Sequence, residues 1–278
     1  MQPLKPFNRR DPSAAEKRPY SIDAVLNRLS PLWALLFWLT VWQLVSLWVG
    51  QELLVPSPLA VGRTLLELMG QWQFWGSAGT TLLRVLEGFG LGIAAGVALA
   101  GLTLRFSAAR WLLAPLLKAV RATPVASFII LALVWLPTGR IPGFISMLMV
   151  APVAWASVEK GVRETDPLLL EMAQLYHMGR WRTLRWIWGP SVAPYLLTAC
   201  TTGLGFAWKS GVAAEVICRP LLSIGKNLQE AKLYLETPEV FAWTITVAAL
   251  SLGLESLLML AAGRIQNHPK ERGEVYAP

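Results

Sequence analysis

The amino-acid sequence predicts an all-α, polytopic membrane protein with six transmembrane helices and one short cytosolic helix. Of its 278 residues, 54% are hydrophobic and only 15% are charged, and its mean hydropathy is +0.47. A soluble domain of this length usually carries about a quarter of charged residues. The 14 tryptophans agree with this prediction, because the amphipathic indole ring favours the membrane–water interface.

Six apolar stretches approach the ~20 residues that a membrane-spanning helix needs. The predicted spans lie near residues 31–50, 80–104, 118–136, 142–159, 190–213 and 239–263. The first is longer than the apolar region of a signal peptide and has no small-residue cleavage site behind it, so we expect it to remain as a span. Pro152 is expected to break the fourth span.

The segments outside the spans predict the orientation of the chain. Residues 1–30 and 264–278 are predicted to be cytosolic tails, the first with a short helix near residues 21–29. Between the first two spans, Ser57 and Pro58 predict the cap and first residue of an outer interfacial helix. With the N-terminus inside, eighteen basic residues fall in inner segments and five in outer segments, which is a strong positive-inside bias.

Small residues recur at four-residue spacing in the second span, at Gly88, Gly92 and Gly96. Such a stripe lets two helix backbones approach closely, so we expect these glycines to pack against another helix. The alternative is that the span is merely rich in glycine and alanine.

A charged segment, residues 164–190, interrupts the apolar chain. Asp166 and Pro167 predict a helix start, and Gly179 is expected to end that helix. The helix is amphipathic, and a basic stretch leads from it into the fifth span. From these residues alone, two readings are open: an interfacial helix on anionic lipid, or a docking helix for a cytosolic partner.

This segment resembles the signature loop of permeases of binding-protein-dependent ABC importers, which reads Glu-Ala-Ala, a Gly, then Ile-x-Leu-Pro. The matching residues are Glu171, Ala173, Ile187 and Pro190, with Arg180–Trp181 between them. The departures are Met172, His177 in the place of the glycine, and Gly189. Because His177 replaces the glycine, Gly179 is expected to supply the turn.

The resemblance extends over about residues 30–265 and is closest to the branch that imports sulfonates, taurine and nitrate. It includes "VPSPLAV", "TTLLRVLEGFGLGIAAG", "ATPVASFIILALVW" and "AWKSGVAAEV". In that family the loop is a coupling helix that fits a groove on an ATP-hydrolysing subunit. The resemblance therefore assigns ATPase coupling to these residues: Glu171, Met172, Ala173, Leu175, Tyr176, His177, Gly179 and Arg180.

The resemblance implies a permease subunit that moves a small anionic solute inward across the cytoplasmic membrane by alternating access. The implied partners are a second permease copy, two ATP-binding subunits and an extracytoplasmic substrate-binding protein, and no nucleic acid. The sequence contains no G-x-x-x-x-G-K-[ST] loop, so ATP and Mg are expected on the separate ATPase rather than on this chain. The chain itself is expected to be neither an enzyme nor a binder of any cofactor or metal.

Charged residues inside the predicted spans are candidates for the substrate path. Arg84 and Glu87 lie three residues apart and are expected to pair. Lys209, in a Gly- and Thr-rich helix, could attract an anionic substrate, with Arg84 and Glu215 as further candidates. The alternatives are that Lys209 pairs with Glu215 or extends to the outer interface. Glu255 has no assigned role.

Two other functions are compatible with a polytopic membrane protein. A membrane-embedded enzyme acting on lipid usually needs clustered Asp or His residues, or a nucleophile–base pair, and neither pattern occurs. The two histidines, His177 and His268, predict no His-rich metal site, and Cys200 and Cys218 are too far apart on a helix to pair. A facilitator without an energy source would leave the coupling-type loop unexplained.

Overall fold

The computed structural model describes residues 22–267, and all regular structure in that range is helical. The first six helices are α1 (Ile22–Val49), α2 (Pro58–Met69), α3 (Trp72–Arg105), α4 (Ser107–Ala122), α5 (Val125–Trp135) and α6 (Ile141–Arg163). The others are α7 (Pro167–Leu175), α8 (Arg180–Thr183), a π-helical segment (Leu184–Trp188), α9 (Gly189–Cys218), α10 (Ile224–Leu233) and α11 (Thr237–Asn267).

The centre of the fold is a bundle of α3, α6 and α9. Val85, Val150, Ala207 and Trp208 form its buried apolar cluster. Helices α3 and α6 run parallel, because Gly88 lies against Gly143 and Gly96 against Ala151, whereas α9 is antiparallel to both. The basic end of the bundle, where α3 and α6 finish and α9 begins, carries the exposed side chains Arg105, Arg163 and Arg185.

The glycine stripe of α3 lies directly on α6. A Cβ atom on Gly96 would come within 2.5 Å of both the Ala151 carbonyl oxygen and the Ala154 Cβ, and one on Gly92 within 2.6 Å of the Val150 Cβ. Real Cβ atoms do not approach so closely, so the two backbones can meet only where glycine is present. Gly90, two residues before Gly92, faces open space, where an added Cβ would meet no atom within 4 Å.

We expect Gly96→Val to lower the stability of the protein by about 1–3 kcal/mol or more, because the helices must separate to admit the side chain. The measurement is membrane abundance together with the thermal midpoint of the detergent-purified chain. Gly90→Val is the matched control and should leave both unchanged. Equal behaviour of the two variants would contradict the assigned packing.

The spans differ from the sequence prediction at two places. Residues 118–136 do not form one helix, because the chain breaks at Thr123–Pro124 and the axes of α4 and α5 are bent by 108°. Pro152, in contrast, does not break α6. Ala151, Pro152 and Ala154 are buried between neighbouring helices, which support the backbone around the missing hydrogen bond.

Within the described residues, three helices are long and apolar enough to cross a membrane, or four if the bent α4–α5 pair forms one span. The three are Trp72–Arg105, Ile141–Arg163 and Thr237–Gly263. The count of six spans therefore stays a prediction. Helix α1 begins at Ile22 rather than near residue 31, and the predicted tails fall largely outside the described residues.

Candidate functional site

The charged segment folds as predicted at its start. Asp166 caps α7, and its carboxylate accepts a hydrogen bond from the Leu168 N–H at 2.9 Å. The Pro167 ring fits the first helical position, where no N–H is required. The cap prediction for Ser57 is confirmed in the same way, since its Oγ accepts from the Ala60 N–H.

The end of α7 differs from the prediction, because His177 and not Gly179 makes the turn. His177 adopts a left-handed backbone conformation with φ of 49°. The Met178 N–H donates to the Ala173 carbonyl at 2.8 Å and the His177 N–H to the Gln174 carbonyl at 3.0 Å. This pair of bonds is the Schellman arrangement, which usually places glycine where His177 stands. His177 thus adopts the turn conformation that glycine usually supplies, although it is not glycine.

Helix α7 leaves its apolar side uncovered. The exposed fractions are 69% for Leu168, 45% for Met172, 78% for Leu175 and 73% for Tyr176. These four residues, one stripe at helical spacing, are called the α7 apolar face. Glu171 is exposed beside them, as are Gly179 and Arg180 farther along.

Ala173 lies on the other side of α7 and is only 4% exposed. Its assignment to a partner contact therefore stays a prediction, because the exposed side of α7 is the opposite one. Ile187, in the π-helical segment, is also buried. Of the residues that match the signature loop, Ala173 and Ile187 therefore hold the segment in place, whereas Glu171 faces outward.

Ion pairs and a hydrogen bond stabilise the end of α6, directly before α7. The Glu159 carboxylate, near the end of α6, forms an ion pair with Arg110 of α4 at 3.1 Å and accepts a hydrogen bond from Arg163 at 3.4 Å. One turn farther on, the Glu164 carboxylate accepts a hydrogen bond from the Tyr195 hydroxyl of α9. It also lies 3.8 Å from the Lys160 Nζ. Sequence reasoning missed Glu159. Its place in the last turn but one of an apolar helix, near several basic residues, was the available signal.

A second polar cluster lies at the opposite end of the bundle. The Arg84 guanidinium donates to Glu215 at 3.2 Å, so the predicted Arg84–Glu87 pair is wrong. Arg84 also donates to the carbonyls of Leu221 and Leu222. Glu215 is fully buried, and its other oxygen accepts from the Thr81 hydroxyl at 2.8 Å and the Gly225 N–H at 3.3 Å. The cluster joins α3, α9 and the loop before α10.

Lys209 is not part of that cluster. Its side chain is exposed on α9, and among the described residues no carboxylate lies within ion-pair distance of it. Thr198 and Thr202 are exposed on the same face, three and two helical turns before Lys209. Because Glu215 is occupied by Arg84, the alternative in which Lys209 pairs with Glu215 is wrong. Glu87 and Glu255 are exposed.

Comparisons with known proteins identify the family of this chain. The family model described as "Binding-protein-dependent transport system inner membrane component" matches residues 88–268. A probable ABC transporter permease protein of Brucella melitensis biotype 1 is 29% identical over 212 residues, which are 76% of this chain and 86% of the relative. The taurine transport system permease protein of Escherichia coli (strain K12) is 27% identical over 226 residues, 78% of this chain and 81% of the relative.

A solved structure shares the fold. The crystal structure of a bacterial ABC transporter involved in the import of the acidic polysaccharide alginate contains a chain that superposes with a TM-score of 0.56 at 17% identity. The match covers 88% of this chain and 99% of the other. At this identity, the likeness concerns the fold alone.

Proposed function

The chain belongs to the family of binding-protein-dependent transport system inner membrane components, and we propose that it is the membrane subunit through which a separate ATPase drives solute import. The family places the protein in the inner membrane as a transport permease. The basic end of the bundle faces the cytosol in this proposal, because the positive-inside bias puts eighteen basic residues there and in the tails.

One observation carries the proposal. The α7 apolar face is uncovered although it belongs to a helix held by caps and buried residues on its other side. A short helix with an apolar face and an adjoining carboxylate fits a groove on a partner, the common mode of helix recognition. Lipid alone is a weaker explanation, because the Arg-rich stretch that would face lipid headgroups follows α7 rather than lying on it.

The proposed assembly contains two copies of this chain, two ATP-hydrolysing subunits that bind ATP and Mg, and an extracytoplasmic substrate-binding protein. The uncovered face of α9 supports the second copy, because exposed Thr198, Thr202 and Lys209 inside a predicted span need a polar neighbour or a water-filled path.

Purification of the tagged chain from its native membranes tests whether a separate subunit hydrolyses ATP. We expect an ATP-hydrolysing subunit to co-purify, and ATP turnover to disappear when that subunit is stripped away, because this sequence lacks a phosphate-binding loop. ATP turnover by the stripped permease would contradict the proposal. Uptake that continues without any ATPase subunit would instead favour a facilitator.

We assign the substrate path to Lys209 rather than to Arg84 and Glu215, which neutralise each other inside the fold. An ammonium group on the uncovered face of α9 lowers the cost of moving an anion out of water. The imported solute is therefore proposed to be a small molecule that carries an anionic group, such as a sulfonate, zwitterionic taurine, nitrate or bicarbonate. The taurine permease among the relatives supports that class.

Lys209→Met should reduce anion uptake roughly tenfold, the effect of losing one hydrogen bond to a charged group, with unchanged membrane abundance. The measurement is uptake of labelled taurine, nitrate and bicarbonate, with uncharged riboflavin for comparison. Lys209→Arg keeps the charge and should retain most uptake, and Lys232→Met removes an exposed lysine from α10 as the control. Normal uptake in Lys209→Met would show that this lysine only extends to the interface.

A further inference from the structure

A large apolar cavity opens at the basic end of the bundle, beside the segment that follows α7. Its volume is about 1020 Å³, and its walls come from the ends of α3 and α6, from residues 178–188 and from the start of α9. All but three of the lining residues are apolar or glycine, including Gly101, Val162 and Ala193. The three others are Arg105, Thr183 and Arg180.

The two arginines distinguish this cavity from an ordinary apolar groove. Arg105 is in the last turn of α3 and Arg180 is the first residue of α8, so they approach the cavity from two different elements. Both are exposed, and among the described residues neither lies within ion-pair distance of a carboxylate. The Arg105 guanidinium lies over the face of the Phe106 ring, 5.1 Å from its centre. The cavity thus combines an apolar interior with two cations that lack an anion.

We propose that the cavity binds an anionic phospholipid of the cytosolic leaflet. Its acyl chain lies against Gly101 and Ala193, and its phosphate lies between Arg105 and Arg180. The apolar walls match an acyl chain and the arginines match a phosphate. In the proposed orientation, the basic end of the bundle reaches the headgroups of the cytosolic leaflet. This lipid site goes beyond the proposed transport function and concerns what stabilises the charged segment, residues 164–190, which is called the coupling segment below.

The site would connect the lipid to the coupling segment. Met178 and Arg180 line the cavity and follow directly after the His177 turn that ends α7. A lipid in the cavity therefore occupies the space behind the segment that carries the α7 apolar face. Its removal leaves Arg180 without an anion and leaves the apolar walls without a neighbour.

The occupant is identified by photo-crosslinking. The full-length chain, with benzoylphenylalanine in place of Trp188, a large side chain that already lines the cavity, is irradiated in native membranes, and the adducts are analysed by mass spectrometry. We expect adducts with the mass of an anionic phospholipid. Adducts with a second permease copy or another protein in place of lipid, or no adduct, would overturn the proposal.

The arginines are tested by native mass spectrometry of the full-length chain with added phosphatidylglycerol or phosphatidylcholine. The double variant Arg105→Gln, Arg180→Gln should bind phosphatidylglycerol about 30-fold more weakly, the effect expected for removing two basic groups from an anionic headgroup. The control is Arg182→Gln, Arg185→Gln, which removes the same charge from exposed residues outside the cavity.

Three outcomes would overturn the lipid site: an equal loss in the control pair, equal binding of the two lipids by the native chain, or displacement of lipid by millimolar inorganic phosphate.

Ala193→Trp fills the cavity without changing charge, so it should abolish retention of the lipid although both arginines remain. Size-exclusion profiles like that of the native chain establish that each variant is folded. Undiminished lipid retention in a folded Ala193→Trp chain would likewise refute the proposal.

Discussion

Glu171→Lys and Leu175→Lys are each expected to reduce ATP-driven uptake by about 30-fold or more, the loss typical of a hot-spot residue at an interface. Both side chains point away from the rest of the chain, and Leu175 is 78% exposed. A lysine at either position places a cation against a partner groove that fits an apolar stripe and a carboxylate. Insertion of the chain should not change, because α7 lies outside the predicted spans.

Three measurements on the same membranes separate docking from folding: abundance of the chain, co-purification of the ATPase subunit, and uptake. We expect normal abundance with loss of the other two. Glu67→Lys is the matched control, because it makes the same charge reversal at an exposed position on α2, at the predicted outer side. Normal co-purification and uptake in both α7 variants would refute the docking role and favour a helix that only lies on lipid.

Ala173 is unsuitable for this test, although the signature loop includes it. The side chain is only 4% exposed, so a bulky or charged replacement disturbs the segment itself. Loss of uptake in such a variant would not separate a docking defect from a local folding defect. Leu175 is 78% exposed, so its replacement can separate a docking defect from a local folding defect.

Arg84→Met is expected to lower the free energy of unfolding by about 3–5 kcal/mol, because it leaves the buried Glu215 carboxylate without its cation. Glu215 is 0% exposed, so solvent cannot replace the lost partner. The variant also removes the donors to the Leu221 and Leu222 carbonyls, which releases the loop before α10. The thermal midpoint of the detergent-purified chain and its membrane abundance are the measurements.

The double variant Arg84→Met, Glu215→Gln should regain most of that loss, since no buried charge remains unpaired. Glu87→Gln is the control: Glu87 lies three residues after Arg84, is exposed and takes no part in the pair. A thermal midpoint of Arg84→Met equal to that of the native chain would show that the pair does not stabilise the fold. A double variant as unstable as Arg84→Met would locate the defect in the loop carbonyls.

Features that depend on neighbours in sequence were predictable. The caps at Ser57 and Asp166 need only an oxygen two or three residues before an N–H, and both are present as expected. The helical class follows from composition and apolar runs, which no strand pattern interrupts. The α7 apolar face was predictable in part from the sequence, since the spacing of its residues places them on one stripe of the helix.

Features that depend on which helices meet were decided by tertiary structure. The partner of Arg84 is 131 residues away at Glu215, because α3 and α9 pack side by side, and not at the nearby Glu87. Packing of α6 against its neighbouring helices likewise keeps α6 continuous through Pro152, where sequence rules predict a break. At His177, the contacts of the segment maintain a left-handed turn that the local residue does not favour. Local sequence patterns determined the helical elements of this protein. The ion pairs and helix contacts were decided by the tertiary structure. The reason is that a charge or a backbone group is stabilised by whatever group lies within a few ångströms, regardless of separation along the chain.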